Sequence, residues 1–187
     1  MIRLAVRVPL VLALFHSLFA QAPPGWFLAG SAPRSYATGV DQAVTYAGLP
    51  SAYLKSKSAV PPEGFGTVAQ SLPATGYEGK RIRFSAQLKS KSVVDWGGLW
   101  MRVDEGRQPV AFDSMEHRRI QGTTDWAPYA VVLDVPKGAT GISFGVLLSG
   151  TGSIWLTDVR FEIVDDKTPV TGTTTPAPAN LDFEKKK

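Results

Sequence analysis

Residues 80–89 alternate without a break: Ile82, Phe84, Ala86 and Leu88 fall on one side of an extended backbone, and Arg81, Arg83, Ser85 and Gln87 on the other. Residues 99–104 repeat the pattern, with Leu99, Met101 and Val103 set against Trp100, Arg102 and Asp104. Further strand-like runs cover residues 66–72, 109–113, 128–135, 141–148 and 153–163. Turn sequences separate them: Tyr77-Glu78-Gly79, Asp104-Glu105-Gly106, Pro136-Lys137-Gly138 and Ser149-Gly150-Thr151-Gly152. No stretch after residue 20 sustains a helical period, so no substantial helix is expected there. Many short strands joined by closely spaced turns predict an all-β antiparallel sandwich or barrel. Alternation in the middle strands predicts one dry and one wet sheet face. Phe84, Leu99, Met101, Leu133, Phe144 and Val146 are among the residues expected to fill the core.

The front of the chain follows a different pattern. Arg3 and Arg7 precede an apolar run at residues 8–15, and the small Ala20 stands before Gln21. That layout predicts a secretory signal peptide over residues 1–20, cleaved after Ala20. The apolar run is shorter than the about 20 residues a membrane-spanning helix needs, so no stable membrane anchor is expected after cleavage. The expected location is exported, in a periplasm or outside the cell. Residues 21–167 form one expected domain without internal repeats. Residues 168–179 are rich in Thr and Pro and predict an extended linker. Residues 180–187 carry Asn180-Leu181-Asp182-Phe183-Glu184, a strand-like motif, and then three lysines.

The formal charge of +4 shrinks when Arg3 and Arg7 leave, to 18 basic residues against 16 acidic. With so small an excess, a basic face for nucleic acid finds no support, and no nucleic-acid partner is expected. The chain has no cysteine, which removes disulfides, thiol catalysis, cysteine-ligated zinc and lipidation at a cysteine. An exported domain of this kind relies on its core alone.

Several motifs together carry a resemblance: Gly98-Leu99-Trp100-Met101-Arg102-Val103-Asp104, Phe112-Asp113-Ser114-Met115, Gly122-Thr123-Thr124-Asp125-Trp126, and the run from Phe144 to Trp155. They resemble a family of jelly-roll domains similar to galactose-binding-like sandwiches and carbohydrate-binding modules. Similar domains stand at the C-terminal end of some AraC-type bacterial regulators. The resemblance implies an antiparallel jelly-roll β-sandwich. It carries no DNA-binding role over, since these residues contain no helix-turn-helix pattern. In carbohydrate-binding modules of this shape an Asn-x-x-Phe-Glu strand precedes a Gly-Trp segment. Here Gly25-Trp26 comes early and Asn180–Glu184 late, so the tail is expected to fold back beside the N-terminus. Similar modules can join acids of their first and last strands at a calcium ion. Asp158 and Glu184 would correspond, and no cofactor is assigned on that ground.

Catalytic patterns are weak. His117 sits in the charged run Glu116-His117-Arg118-Arg119, and no serine stands in a Gly-x-Ser-x-Gly turn. The acid pairs Asp104/Glu105, Asp113/Glu116 and Asp165/Asp166 flank turns or lie in charged loops, although glycoside hydrolysis would need only two well-spaced carboxylates. The expectation is a binding protein and not an enzyme. An aromatic plate beside hydrogen-bonding groups suits a sugar ring, which stacks through its C–H face and is held at its hydroxyls. Trp100 is the expected plate, with Trp96 as a loop-side companion and Arg102, Gln70, Gln87 and Asp113 as polar contacts. Trp26, Trp126 and Trp155 are expected to be structural. The ligand class this implies is carbohydrate. A structural or protein-interaction module using the C-terminal strand and a small glycoside hydrolase are the alternatives, and the oligomeric state stays open.

Overall fold

The computed structural model describes residues 21–174. The expected signal peptide at 1–20 and the Asn180–Glu184 motif, with its calcium acid Glu184, lie outside the described residues. Ten strands follow one another: β1 Phe27–Gly30, β2 Tyr36–Tyr46, β3 Leu49–Ser56, β4 Phe65–Pro73, β5 Arg81–Glu105, β6 Gln108–Asp113, β7 Ile120–Asp134, β8 Gly141–Ser149, β9 Ser153–Val164 and β10 Thr173–Thr174. The only helical elements among the described residues are two 3-10 turns, Pro33–Ser35 and Glu116–Arg118. None is long or apolar enough to cross a membrane.

The alternating runs at 80–89 and 99–104 belong to one strand, β5. Its first part pairs with β9 (Arg81 to Lys91) and with β7. Its last part pairs with β8 (Trp96 to Asp104) and with β6. Between them the pairing with β7 slips repeatedly from Leu88 to Gly97, and Ser92 adopts φ 52°. Such irregularities bend a strand and sharpen its twist, which carries β5 out of one layer and into the other. One layer therefore runs β1-β4-β8-β5-β6-β10 and the other β2-β3-β9-β5-β7, with every pairing antiparallel.

Ring contacts join the layers. Phe144 of β8 meets Phe84 of β5 at 4.8 Å and Phe161 of β9 at 4.6 Å, while Trp26 packs edge-on against it at 6.0 Å. Ile82, Phe84 and Leu88 from one half of β5 and Leu99, Met101 and Val103 from the other are all fully buried. Full burial of each such side chain contributes roughly 1.5–3 kcal/mol, the main source of stability in a domain without cross-links. Tyr36 is buried at one end of the sandwich, and its hydroxyl proton is shared between Gly150 O at 3.0 Å and Gly64 O at 3.2 Å. Burial, helped by Asp95, pushes this phenol above its usual range. The architecture is an all-β antiparallel jelly-roll sandwich.

Two features differ from the sequence reading. Strands β2 and β3 have no clean alternation of apolar residues, because β2 is the edge of its layer and both it and the neighbouring β3 expose much of their length. The stretch read as a linker also starts out docked on the domain. Arg81 Nη1 donates to the carbonyls of Asp166 and Thr168, both at 2.7 Å. Thr171 exchanges hydrogen bonds with the Val132 backbone, and β10 pairs with Phe112 and Ala111 of β6. Backbone groups that an edge strand leaves open attract this kind of cover.

Candidate functional site

The outer face of the β1-β4-β8-β5-β6 layer is hollowed into a groove of about 370 Å³, within the range of about 300–1,000 Å³ usual for ligand sites. Register explains the hollow. Residues directly opposite in an antiparallel ladder point to the same side. One row across the sheet reads Ser71, Ser143, Arg102, Phe112; the next reads Phe27, Ala69, Gly145, Trp100; a third reads Ala29, Thr67, Leu147, Gly98. In the second row the middle strands β4 and β8 carry only Ala69 and Gly145, so the sheet surface is low there. Phe27 and Phe65 form one wall and Phe112 the other, each well exposed at 45%, 38% and 43%. From β1 to β6 is four strand spacings, about 19 Å at about 4.8 Å each.

Trp100 forms the floor. It faces Gly145 of β8 in register, and its Nε1 donates to Thr67 Oγ1 of β4 at 2.7 Å. The indole thus reaches across β8 where that strand has no side chain. Gly145 is required there for a second reason. A Cβ at this position would lie 2.9 Å from Ala69 Cα and closer still to the Val68 carbonyl oxygen, so only glycine lets β8 and β4 close up. Thr67, itself buried, passes the bond on by donating to Val146 O at 2.8 Å. The chain Trp100–Thr67–Val146 fixes the plate to the sheet backbone.

Polar groups gather in the first row. Ser71 and Ser143 hydrogen-bond to each other at 2.8 Å. Arg102 donates from Nε to the Asp104 carboxylate at 3.0 Å and is half exposed. Its two Nη groups have no hydrogen-bond partner among the described residues. The groove can therefore stack a flat apolar ring face on aromatic carbon and donate hydrogen bonds beside it.

Of the residues expected to form a site, Trp100 and Arg102 line this groove together and the others lie elsewhere. Gln87 sits on the outer face of the opposite layer, in a shallow polar depression with Arg83, Ser85, Tyr129, Asp158, Arg160 and Glu162. The reason is the passage of β5 between layers: its two polar faces look out from opposite sides of the molecule. Gln70 shares the parity of Val68 and Leu72, pairs with Phe144 and points away from the groove. Thr67 and Ser71 take its place. Asp113 pairs with Met101, on the side opposite Phe112, and is engaged by Arg118 Nη2 at 2.5 Å and the Met115 amide at 2.7 Å. It makes no ion pair with Arg102, which pairs with Asp104 instead. Trp96 lies beyond the groove end, under the Arg119 guanidinium at 5.4 Å.

Phe27, Phe65 and Phe112 were missed as walls. For Phe112 a signal existed, because strict alternation along β6 sets it opposite Asp113. Trp126 and Trp155 spend their indole N–H groups on Thr45 O and Asp41 Oδ2, both at 3.0 Å. His117 is exposed on the Glu116–Arg118 turn. Asp158 pairs with Arg160, and no group of three metal-ligating side chains gathers among the described residues.

Comparison with known proteins gives both a sequence relative and fold relatives. No family model matches the chain. It is 44% identical over 175 residues to the uncharacterized HTH-type transcriptional regulator YbfP of Bacillus subtilis (strain 168), a match covering 90% of this chain and 59% of that protein. The chain thus spans less than two thirds of the relative's length. Among solved structures, the CBM22-1 xylan-binding domain of Paenibacillus barcinonensis Xyn10C superposes with a TM-score of 0.56 at 14% identity, over 78% of this chain and 90% of that one. A C-terminal family 22 carbohydrate-binding module of Clostridium thermocellum Xyn10B gives 0.52 at 14% identity, over 76% and 87%. At these identities the likeness establishes a shared fold: the jelly-roll sandwich used by carbohydrate-binding modules is the sandwich of this chain.

Proposed function

We propose that this domain is a non-catalytic carbohydrate-binding module whose ligand lies in the groove over Trp100. The observation that carries the reading is the anchored indole floor between phenylalanine walls, with the Arg102 and Ser71/Ser143 donors in the adjoining row. A sugar chain presents apolar ring faces and polar edges in that same alternation. The xylan-binding neighbours support the reading through their fold alone. Asp104 and Asp113 are committed to arginines, and among the described residues no carboxylate lines the groove, which favours binding over the two-carboxylate chemistry of hydrolysis. The test is a polysaccharide and glycan screen with the full chain, followed by titration of hits against Phe112→Ala and Trp100→Ala. Phe112 is exposed, so its loss should weaken binding while the melting temperature stays in place. A blank screen would refute the reading.

Export through residues 1–20 belongs to the same proposal, and the mature N-terminus recovered from cell fractions should be Gln21. The match to a longer HTH-type regulator favours a second reading, in which such a domain senses a ligand for an attached DNA-binding unit, with kinship to AraC-type regulators as its narrower form. Retention in the cytoplasm with residues 1–20 intact would decide for sensing; recovery outside it would decide for anchoring to a glycan.

A further inference from the structure

We infer, resting on the carbohydrate reading of the groove, that its ligand is an acidic polysaccharide, bound through a uronic-acid carboxylate on the Arg102 fork. The argument is an inventory of hydrogen-bonding groups. Thr67 is spent, accepting from Trp100 and donating to Val146. Ser71 and Ser143 hydrogen-bond to one another, which leaves one O–H and the remaining lone pairs of two neutral hydroxyl oxygens. Arg102 gives its Nε–H to Asp104 and keeps the four N–H groups of Nη1 and Nη2. Among the described residues the lining holds no Asp, Glu, Asn, Gln or His. The groove's charged hydrogen-bonding group is therefore a donor, and its side-chain acceptors are neutral hydroxyl oxygens alone.

That balance discriminates between sugars. Each hydroxyl of a neutral sugar donates as well as accepts, and binding one well requires acceptors to take its protons. A carboxylate only accepts, and its two oxygens match the planar fork of a guanidinium bidentately. Asp104, whose side chain is only 17% exposed, holds the guanidinium by Nε and leaves the Nη edge free; because it also offsets part of the charge, the selectivity rests on the oriented fork. The surroundings on the groove side are aromatic and aliphatic, which raises the strength of a charge-assisted bond above its value in water. Arg102 is the one charged residue in the lining among the described residues, so the preference is local and does not derive from the nearly balanced charge of the whole chain.

The experiment compares matched ligands by calorimetric titration of the full chain. Oligomers of galacturonate, of mannuronate and of glucuronate-bearing xylan are tested beside the same oligomers after reduction of each carboxyl to a primary alcohol, which preserves linkage and length. At least one acidic series should bind about tenfold more tightly than its reduced partner, about 1.4 kcal/mol. Arg102→Gln should erase that difference, and Arg102→Lys, which keeps the charge without the fork, should restore it only in part. Arg102 is half exposed, so unchanged melting curves will show that the variants are folded. Equal or tighter binding of the reduced series overturns the acid preference and leaves the carbohydrate reading standing. Acid-selective binding that survives in Arg102→Gln overturns the assignment to this residue. Failure of every oligomer and every neutral glycan to bind overturns both readings together.

Discussion

Thr67→Val isolates the bond that anchors the groove floor. The two side chains have nearly the same shape, so the substitution removes one hydroxyl and little else. The wild-type hydroxyl accepts from Trp100 Nε1 at 2.7 Å and donates to Val146 O at 2.8 Å, and Thr67 is 4% exposed. In the variant the indole N–H loses its acceptor in a half-buried position. An unsatisfied donor of that kind costs about 1–3 kcal/mol. At the middle of that range, about 2 kcal/mol, a domain of this size should melt about 4–8 °C lower. The released indole no longer has a single orientation over Gly145, so affinity should fall by about three- to tenfold, at most about 1.4 kcal/mol, although no atom that faces the ligand has been removed. Thermal melts and calorimetric titration read the two effects separately. A double-mutant cycle with Trp100→Phe, which deletes the same N–H from the other side, should show strong non-additivity. If Thr67→Val melts and binds like the wild type, the bond does not hold the plate, and the account of the floor is wrong.

Three further outcomes follow from the packing. Tyr36→Phe removes the buried hydroxyl shared by Gly150 O and Gly64 O and should cost about 1–2 kcal/mol, or about 2–8 °C in a thermal melt, with sugar affinity unchanged. Gly145→Ala forces a methyl against the β4 backbone and should destabilise by about 1–3 kcal/mol and abolish binding, because β8 and the plate above it must shift; normal binding would contradict the role given to this glycine. Asp41 accepts from the amides of Val44 and Ala43 and from Trp155 Nε1, and these bonds, the Val44 amide foremost, hold its carboxyl below the ordinary 3.8. A depressed folded-state pKa stabilises above the unfolded value and is lost as pH falls through the folded one. The stability gap between wild type and Asp41→Asn, measured by urea unfolding, should therefore be constant from neutrality down to about pH 4 and narrow below it. A gap that does not change with pH would refute the cause.

The legible and illegible parts of this molecule divide along one physical line. Alternation shows which side of a strand is wet, and for Ile82 to Leu88 and Leu99 to Val103 it separated core from surface correctly. It contains no information about which sheet a strand belongs to. Residues 89–98 break the period with Ser90, Ser92, Gly97 and Gly98, and nothing local indicates that the backbone continues there as a single strand crossing between layers. Gln87 and Trp100 consequently looked like neighbours and face opposite directions. Gln70 was readable: its parity with Val68 and Leu72 places it on the inner side, and polarity alone had suggested otherwise. Asp113 and Phe112 illustrate the same parity on β6. The walls Phe27 and Phe65 were out of reach, because they meet Trp100 only through the order β1-β4-β8-β5, which is set by long-range pairing.

The single strand common to both layers makes the domain indivisible under load and under heat. β5 is flanked by β8 and β6 in one layer and by β9 and β7 in the other, so neither layer can separate without stripping the interior of its counterpart. Amides of β5 and of the strands that flank it in either layer should then exchange through the same global opening. A ligand meets a floor, Trp100, that is set on this shared strand. The ordering that a loop-built site would require at the moment of binding has already been completed when the chain folds.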